Sequence, residues 1–187
     1  MVKTRSSLAC LALAAAFLAC LALAASPASA KKKKPKPAEP VAEESAEDMV
    51  FAKSFIGKTY DDELPIEGWD DLGGGLVSPP IYVHEYQRED GTFLVLTSKE
   101  TTPQKGDTPG VYVVLDALLV SKLRPGAVLS VACTQGDDQT LRFIGEAKGG
   151  DQKETWTDIG RAWEISLETG AITSIKPKGV KCTNPTF

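Results

Sequence analysis

The stretch that decides the architecture is residues 81–98, IYVHEYQREDGTFLVLTS. Ile81 to Gln87 and Thr92 to Ser98 are short runs rich in branched and aromatic side chains, which fit the half-buried, pleated surface of a sheet. Glu89-Asp90-Gly91 stands between them, and a short polar connection ending in glycine is a hairpin signal. The spacing predicts an antiparallel pair. Along the first run Tyr82, His84 and Tyr86 alternate with Ile81, Val83 and Glu85, so the twofold period of a strand gathers the three rings on one face. Such a row is a candidate ligand-contacting face.

Toward the C-terminus the same grammar repeats. Val111 to Val120 is apolar almost throughout and branched at its start, as a buried strand would be. Ala127 to Cys133 follows the Pro125-Gly126 break, and Gln139 to Glu146 follows Gly136-Asp137-Asp138. Arg161 to Leu167 and Ala171 to Ile175 flank Glu168-Thr169-Gly170, a second hairpin signal. About seven short strands separated by turns predict a mainly β fold, a small antiparallel β-sandwich or barrel. Trp163 is expected in its core. Asp116 interrupts the most apolar run, and a carboxylate there needs a partner; Lys122 or Arg124 in the following turn is the expected one.

Toward the N-terminus the order weakens. The stretch from Tyr60, through DDELPIEGWDDLGGGLVSPP, is acidic and turn-rich and reads as loop. Ser45 with Asp48 three residues on resembles a capping box. Met49, Ala52 and Ile56 share a helical face and Gly57 is a good stop, so a short helix is expected over 46–56. Residues 31–48, KKKKPKPAEPVAEESAED, hold five lysines, five acids and no aromatic residue, too little apolar area to offset the entropy of ordering; they read as a disordered linker. Residues 1–30 have the parts of a secretory signal peptide: Lys3 and Arg5, an uncharged apolar run from Leu8 to Ala25, then Ser26-Pro27-Ala28-Ser29-Ala30 with an A-x-A cleavage pattern. The expected division is signal peptide 1–30, linker 31–48 and a single β-rich domain over 49–187. No permanent membrane span is expected once the leader is cut, and the product belongs in the periplasm or outside the cell.

Cleavage near Ala30 would remove two of the 21 basic residues and none of the 25 acids, leaving 19 against 25 and a net charge of −6. A chain this acidic is a poor partner for nucleic acid, whose binding rests on basic surface neutralising phosphates. Two cysteines would survive, Cys133 and Cys182. In an oxidising compartment they read as one disulfide, closing a loop of about 50 residues and stabilising the fold by roughly 4 kcal/mol in the chain-entropy description.

Standard catalytic patterns are missing. His84 is the only histidine, so a multi-histidine zinc site cannot form. No G-x-S-x-G element positions a serine nucleophile. The glycines Gly73 to Gly75 lack the lysine and hydroxyl residue of a phosphate cradle. Asp61, Asp62, Glu63, Glu67, Asp70 and Asp71 are the densest constellation, and carboxylates of this kind are candidate calcium ligands, although the spacing is not that of an EF-hand. No other cofactor is expected. The leading expectation is therefore a non-catalytic binding or structural module of the bacterial cell envelope, with a protein or polysaccharide as partner. The rivals are a carboxylate- or calcium-dependent secreted hydrolase using the 61–71 acids, and a periplasmic inhibitor or partner protein.

Overall fold

The computed structural model describes residues 45–61, 63–150 and 152–184. The expected signal peptide, most of the expected linker and Asp62 lie outside the described residues. One helix, α1 (Ala46–Lys53), precedes eleven strands: β1 (Thr59–Tyr60), β2 (Trp69–Ser78), β3 (Ile81–Arg88), β4 (Phe93–Thr102), β5 (Val111–Val120), β6 (Val128–Gln135), β7 (Asp138–Lys148), β8 (Thr155–Trp156), β9 (Asp158–Ile165), β10 (Ile172–Ile175) and β11 (Val180–Thr183). They form two antiparallel sheets, ordered β1-β5-β4-β3-β2 and β10-β9-β7-β6-β11-β8, packed as a sandwich. No helix among the described residues is long and apolar enough to cross a membrane.

The 81–98 segment forms the expected hairpin, β3 with β4, in the register Tyr82↔Ser98, His84↔Leu96, Tyr86↔Leu94. Asp90 closes its turn, accepting from the Thr92 N–H at 2.9 Å and from the Arg88 guanidinium at 2.7 Å. The alternation of β3 separates two cores. Ile81 and Val83 face the other sheet and pack with Val95, Val120, Ile144, Trp163 and Ile165. Tyr86 points the opposite way and packs with Leu94, Leu96, Val114 and the helix residues Ala52 and Phe55.

The helix has the expected cap: the Ser45 hydroxyl accepts the Asp48 N–H at 3.1 Å and donates to the Asp48 carboxylate at 2.7 Å. It ends three residues earlier than the 46–56 expectation. Phe55 and Ile56 turn their N–H groups to carbonyls three residues back, Ala52 and Lys53, a tightening that ends the α geometry. The buried face is also a different one. Ala52 and Phe55 enter the core, while Met49 and Ile56 stay exposed.

The stretch read as loop after Tyr60 contains a ten-residue strand, β2, at the edge of the first sheet. Its three glycines hid it, because they carry no side chain to signal burial. They are there for closeness: a Cβ on Gly74 would sit 2.1 Å from the Val83 carbonyl oxygen.

Two polar arrangements join the sheets. On β5, Asp116 does not pair with Lys122 or Arg124. Its carboxylate accepts the Ala117 N–H at 2.8 Å and, across the sandwich, the Ile172 N–H at 2.7 Å. The buried Thr97 hydroxyl donates to the Gly170 carbonyl at 2.6 Å, so the turn between β9 and β10 is fastened to the first sheet. Arg124 belongs instead to Glu146, a carboxylate with only 2% of its surface exposed. Glu146 accepts the Arg124 backbone N–H at 2.7 Å, its guanidinium at 3.1 Å and the Arg161 guanidinium at 2.6 Å. This cluster holds the crossover from β5 to β6, where the chain passes between sheets.

Cys133 and Cys182 form the disulfide, at directly opposed positions of β6 and β11 with Cα atoms 4.0 Å apart. Around it pack Phe143, Ala147, Trp156 and Val180.

Candidate functional site

All four tyrosines of the chain, Tyr60, Tyr82, Tyr86 and Tyr112, belong to the face of the first sheet that turns away from the second. The register brings three together: Tyr60 pairs with Tyr112 across β1 and β5, Tyr112 with Glu100 across β5 and β4, and Tyr82 with Ser98 across β3 and β4. The Tyr60 and Tyr112 rings stack at 5.4 Å, and Tyr82 meets Tyr112 edge-on at 5.1 Å. Tyr60 donates its hydroxyl to Ser98 at 2.8 Å. The connection from β4 to β5, carrying Gln104 and Asp107, arches over one side. Gly74 and Gly75 leave the other side bare. The result is a cleft of about 450 Å³, walled by the three tyrosines, His84, Asp61 and Asp107.

Its electrostatics are one-signed. None of the residues lining it is lysine or arginine. Desolvation, and then the neighbouring Glu100 carboxylate and Tyr112, raise the Tyr82 phenol above its ordinary value. Burial likewise raises Tyr60, against the opposing effect of its Ser98 hydrogen bond. Both phenols stay neutral, presenting intact aromatic faces and hydroxyls. His84 is held by Asp71: Nε2 lies 2.9 and 3.0 Å from the two carboxylate oxygens, and the ring stacks on Tyr86 at 5.1 Å.

The expected face of Tyr82, His84 and Tyr86 is thus divided. Tyr82 and His84 line the cleft. Tyr86 is 1% exposed, beneath the helix and residues 63–69, and its hydroxyl is buried without a hydrogen-bond partner among the described residues; desolvation, then Asp71, push that phenol well up. The residues sequence reasoning missed are Tyr60, Tyr112, Gln104 and Asp107. A usable signal existed in the scarcity of tyrosine and its placement on strand runs, but the register that joins them is not written in any one segment.

Among the described residues, the acids Asp61, Glu63, Glu67, Asp70 and Asp71 do not gather at one point. Asp61 lines the tyrosine cleft, and Asp71 holds His84. Glu63 and Glu67 line a neighbouring hollow beside Trp69, and Asp70 is exposed on β2. No group of three or more His, Cys, Asp or Glu side chains is placed to hold a metal ion among the described residues.

On the inner side of β2 lies a second, smaller crevice of about 290 Å³, between the sheets, lined by Leu72, Leu76, Val131, Ala132 and Leu141. Glu85 is at its wall. Burial alone pushes this carboxyl up to about 7.

Comparison with known proteins finds no match among family models, curated proteins or solved structures.

Proposed function

We propose that this chain is a non-catalytic binding module of the bacterial cell envelope, exported by its N-terminal leader, and that it takes its ligand in the tyrosine cleft. The observation that carries this reading is the convergence of Tyr60, Tyr82 and Tyr112 from three strands onto one open hollow edged by Asp61 and Asp107. Tyrosine offers a large contact area at low entropic cost and a hydroxyl for orientation, which is why it is favoured where proteins bind others. The rings stand on strands, so they are presented rigidly and lose little on binding. Among the described residues the Cys133 and Cys182 sulfurs are joined to each other and offer no thiol nucleophile.

The test is binding of the purified protein to panels of envelope polysaccharides and extended peptides, with Tyr112→Ala and Tyr82→Ala compared at equal helix and sheet content by circular dichroism. Each variant is expected to weaken the best ligand by about tenfold or more, in the range of an interface anchor. Unchanged affinity in both variants, or steady hydrolysis of a bound polymer, overturns the reading. Export is tested separately: the polypeptide isolated from its native cell should begin at Lys31, and a chain still beginning at Met1 refutes it.

A further inference from the structure

We infer that the free edge of β2 is a docking edge, to which an extended peptide alternating basic and aliphatic residues adds as a further strand; this rests on the reading of the tyrosine cleft as the ligand site. Among the described residues β2 is the terminal strand of its sheet, paired with β3 on one side. Exposed edges are commonly guarded by charge, proline or bulges; in β2 these are Asp70, Asp71 and the irregularities at Asp71/Gly73 and Leu76/Ser78, and the run Gly73 to Leu76 between them carries neither charge nor proline. Its centre, Gly73 to Gly75, has no side chains to keep another backbone away. An incoming chain can therefore approach to the spacing of about 4.8 Å at which strands pair.

The two cavities lie on opposite sides of this strand and share Gly74 and Gly75 as lining. Successive side chains of an added strand point alternately to the two faces of a sheet, so one set would enter the tyrosine cleft and the other the inner crevice. The cleft asks for positive charge. Asp61 and Asp107 edge it, no lysine or arginine lines it, and the negative faces of tyrosine rings attract an ammonium or guanidinium group. The crevice asks for aliphatic groups: Leu72, Leu76 and Leu141 line it and are each about half exposed, so an aliphatic side chain placed there would cover apolar surface. Main-chain hydrogen bonds give such complexes affinity and the alternating side chains give them specificity.

The experiment is fluorescence anisotropy of dye-labelled peptides with the purified protein. The alternating peptide KVKVKVK is compared with the block peptide KKKKVVV, with EVEVEVE, and with KVKVKVK methylated on alternate backbone nitrogens. The alternating basic peptide is expected to bind at least about tenfold tighter than each of the others, and Asp107→Asn is expected to weaken it. Equal binding of the block or N-methylated peptide overturns strand addition while leaving the cleft's taste for cations in place. Binding that survives Tyr112→Ala overturns the cleft reading itself. Absence of binding by every peptide overturns the inference, as does a protein that dimerises through β2, detected by sedimentation and unaffected by KVKVKVK.

Discussion

Asp71 on β2 and His84 on β3 are joined through a single ring nitrogen, with Nε2 at 2.9 and 3.0 Å from the two carboxylate oxygens. Asp71 also accepts the Gly73 N–H at 2.6 Å, so one carboxylate fixes both the imidazole and the bulge that carries β2 into its glycine run. A carboxylate on Nε2 selects the tautomer with the proton there and leaves Nδ1 as the acceptor. Asp71→Asn is expected to give a mixture of tautomers by nitrogen-15 NMR and to lower stability by about 0.5–1.5 kcal/mol, the usual net worth of a hydrogen bond. A spectrum unchanged from the parent protein would refute the assignment.

Glu146 is the buried anchor of the sheet crossover. Burial pushes its carboxyl up, but hydrogen bonds from the Arg124 backbone and the Arg161 and Arg124 guanidinium groups outweigh this and hold it below the ordinary value. A lowered native value means that the contribution is present above the unfolded-state value and is lost as pH falls through the native one. Glu146→Gln removes the buried carboxylate that Arg124 and Arg161 share, while Arg124 keeps Asp158 at 2.9 Å, and is expected to cost about 1.5–3 kcal/mol, the worth of hydrogen bonds to a charged group. Urea melts should show that loss at neutral pH, and a smaller gap between variant and parent in acid.

Glu85 behaves in the opposite sense. Its native value is raised to about 7, so its favourable contribution is complete below the unfolded-state value and disappears as pH rises through neutrality. Glu85→Gln should match the parent near about pH 5 and exceed it near about pH 9 by roughly 1–3 kcal/mol, the usual cost of a buried polar group without a partner. Thermal denaturation at the two pH values checks both halves. A variant less stable than the parent in alkaline solution would contradict the sign.

Gly145 lies under the disulfide. A Cβ built there falls 2.6 Å from the Cys182 sulfur and 3.2 Å from that of Cys133, and a cross-linked pair cannot swing aside. Gly145→Ala is expected to destabilise by about 1–3 kcal/mol, as overpacking does. The same substitution in a Cys133→Ala, Cys182→Ala background should cost measurably less, because contacting residues are not additive. Equal costs in the two backgrounds would disprove the contact.

The legible parts of the sequence were those where side chains carry the pattern. The β3–β4 hairpin and β5 follow from local composition and turn residues, and the cysteine pair from the expectation of an oxidising compartment. β2 did not, since a strand made partly of glycine has neither period nor apolar weight, and only its fit against Val83 and His84 explains it. Lys122 or Arg124 is the expected partner of Asp116 because these residues are neighbours in sequence. The fold gives Asp116 and Arg124 each a partner across the sandwich, Ile172 for one and Glu146 for the other. The cleft was half visible: Tyr82 and His84 share a strand, whereas Tyr60 and Tyr112 arrive through long-range pairing that no local window contains. Tyr86 kept the expected alternation but lies where the helix covers the sheet, so the same period yields a core residue.

The fastening of Thr97 to Gly170 and of Asp116 to Ile172 makes the sandwich lopsided, like a book bound at one margin. The bound margin runs along β5 and β10. The fore-edge is where β2 stands over β6 and β7, around the apolar crevice between the sheets. The pages are expected to part there first, so that a peptide strand added at β2 would slip its inward side chains between them while the spine stays shut.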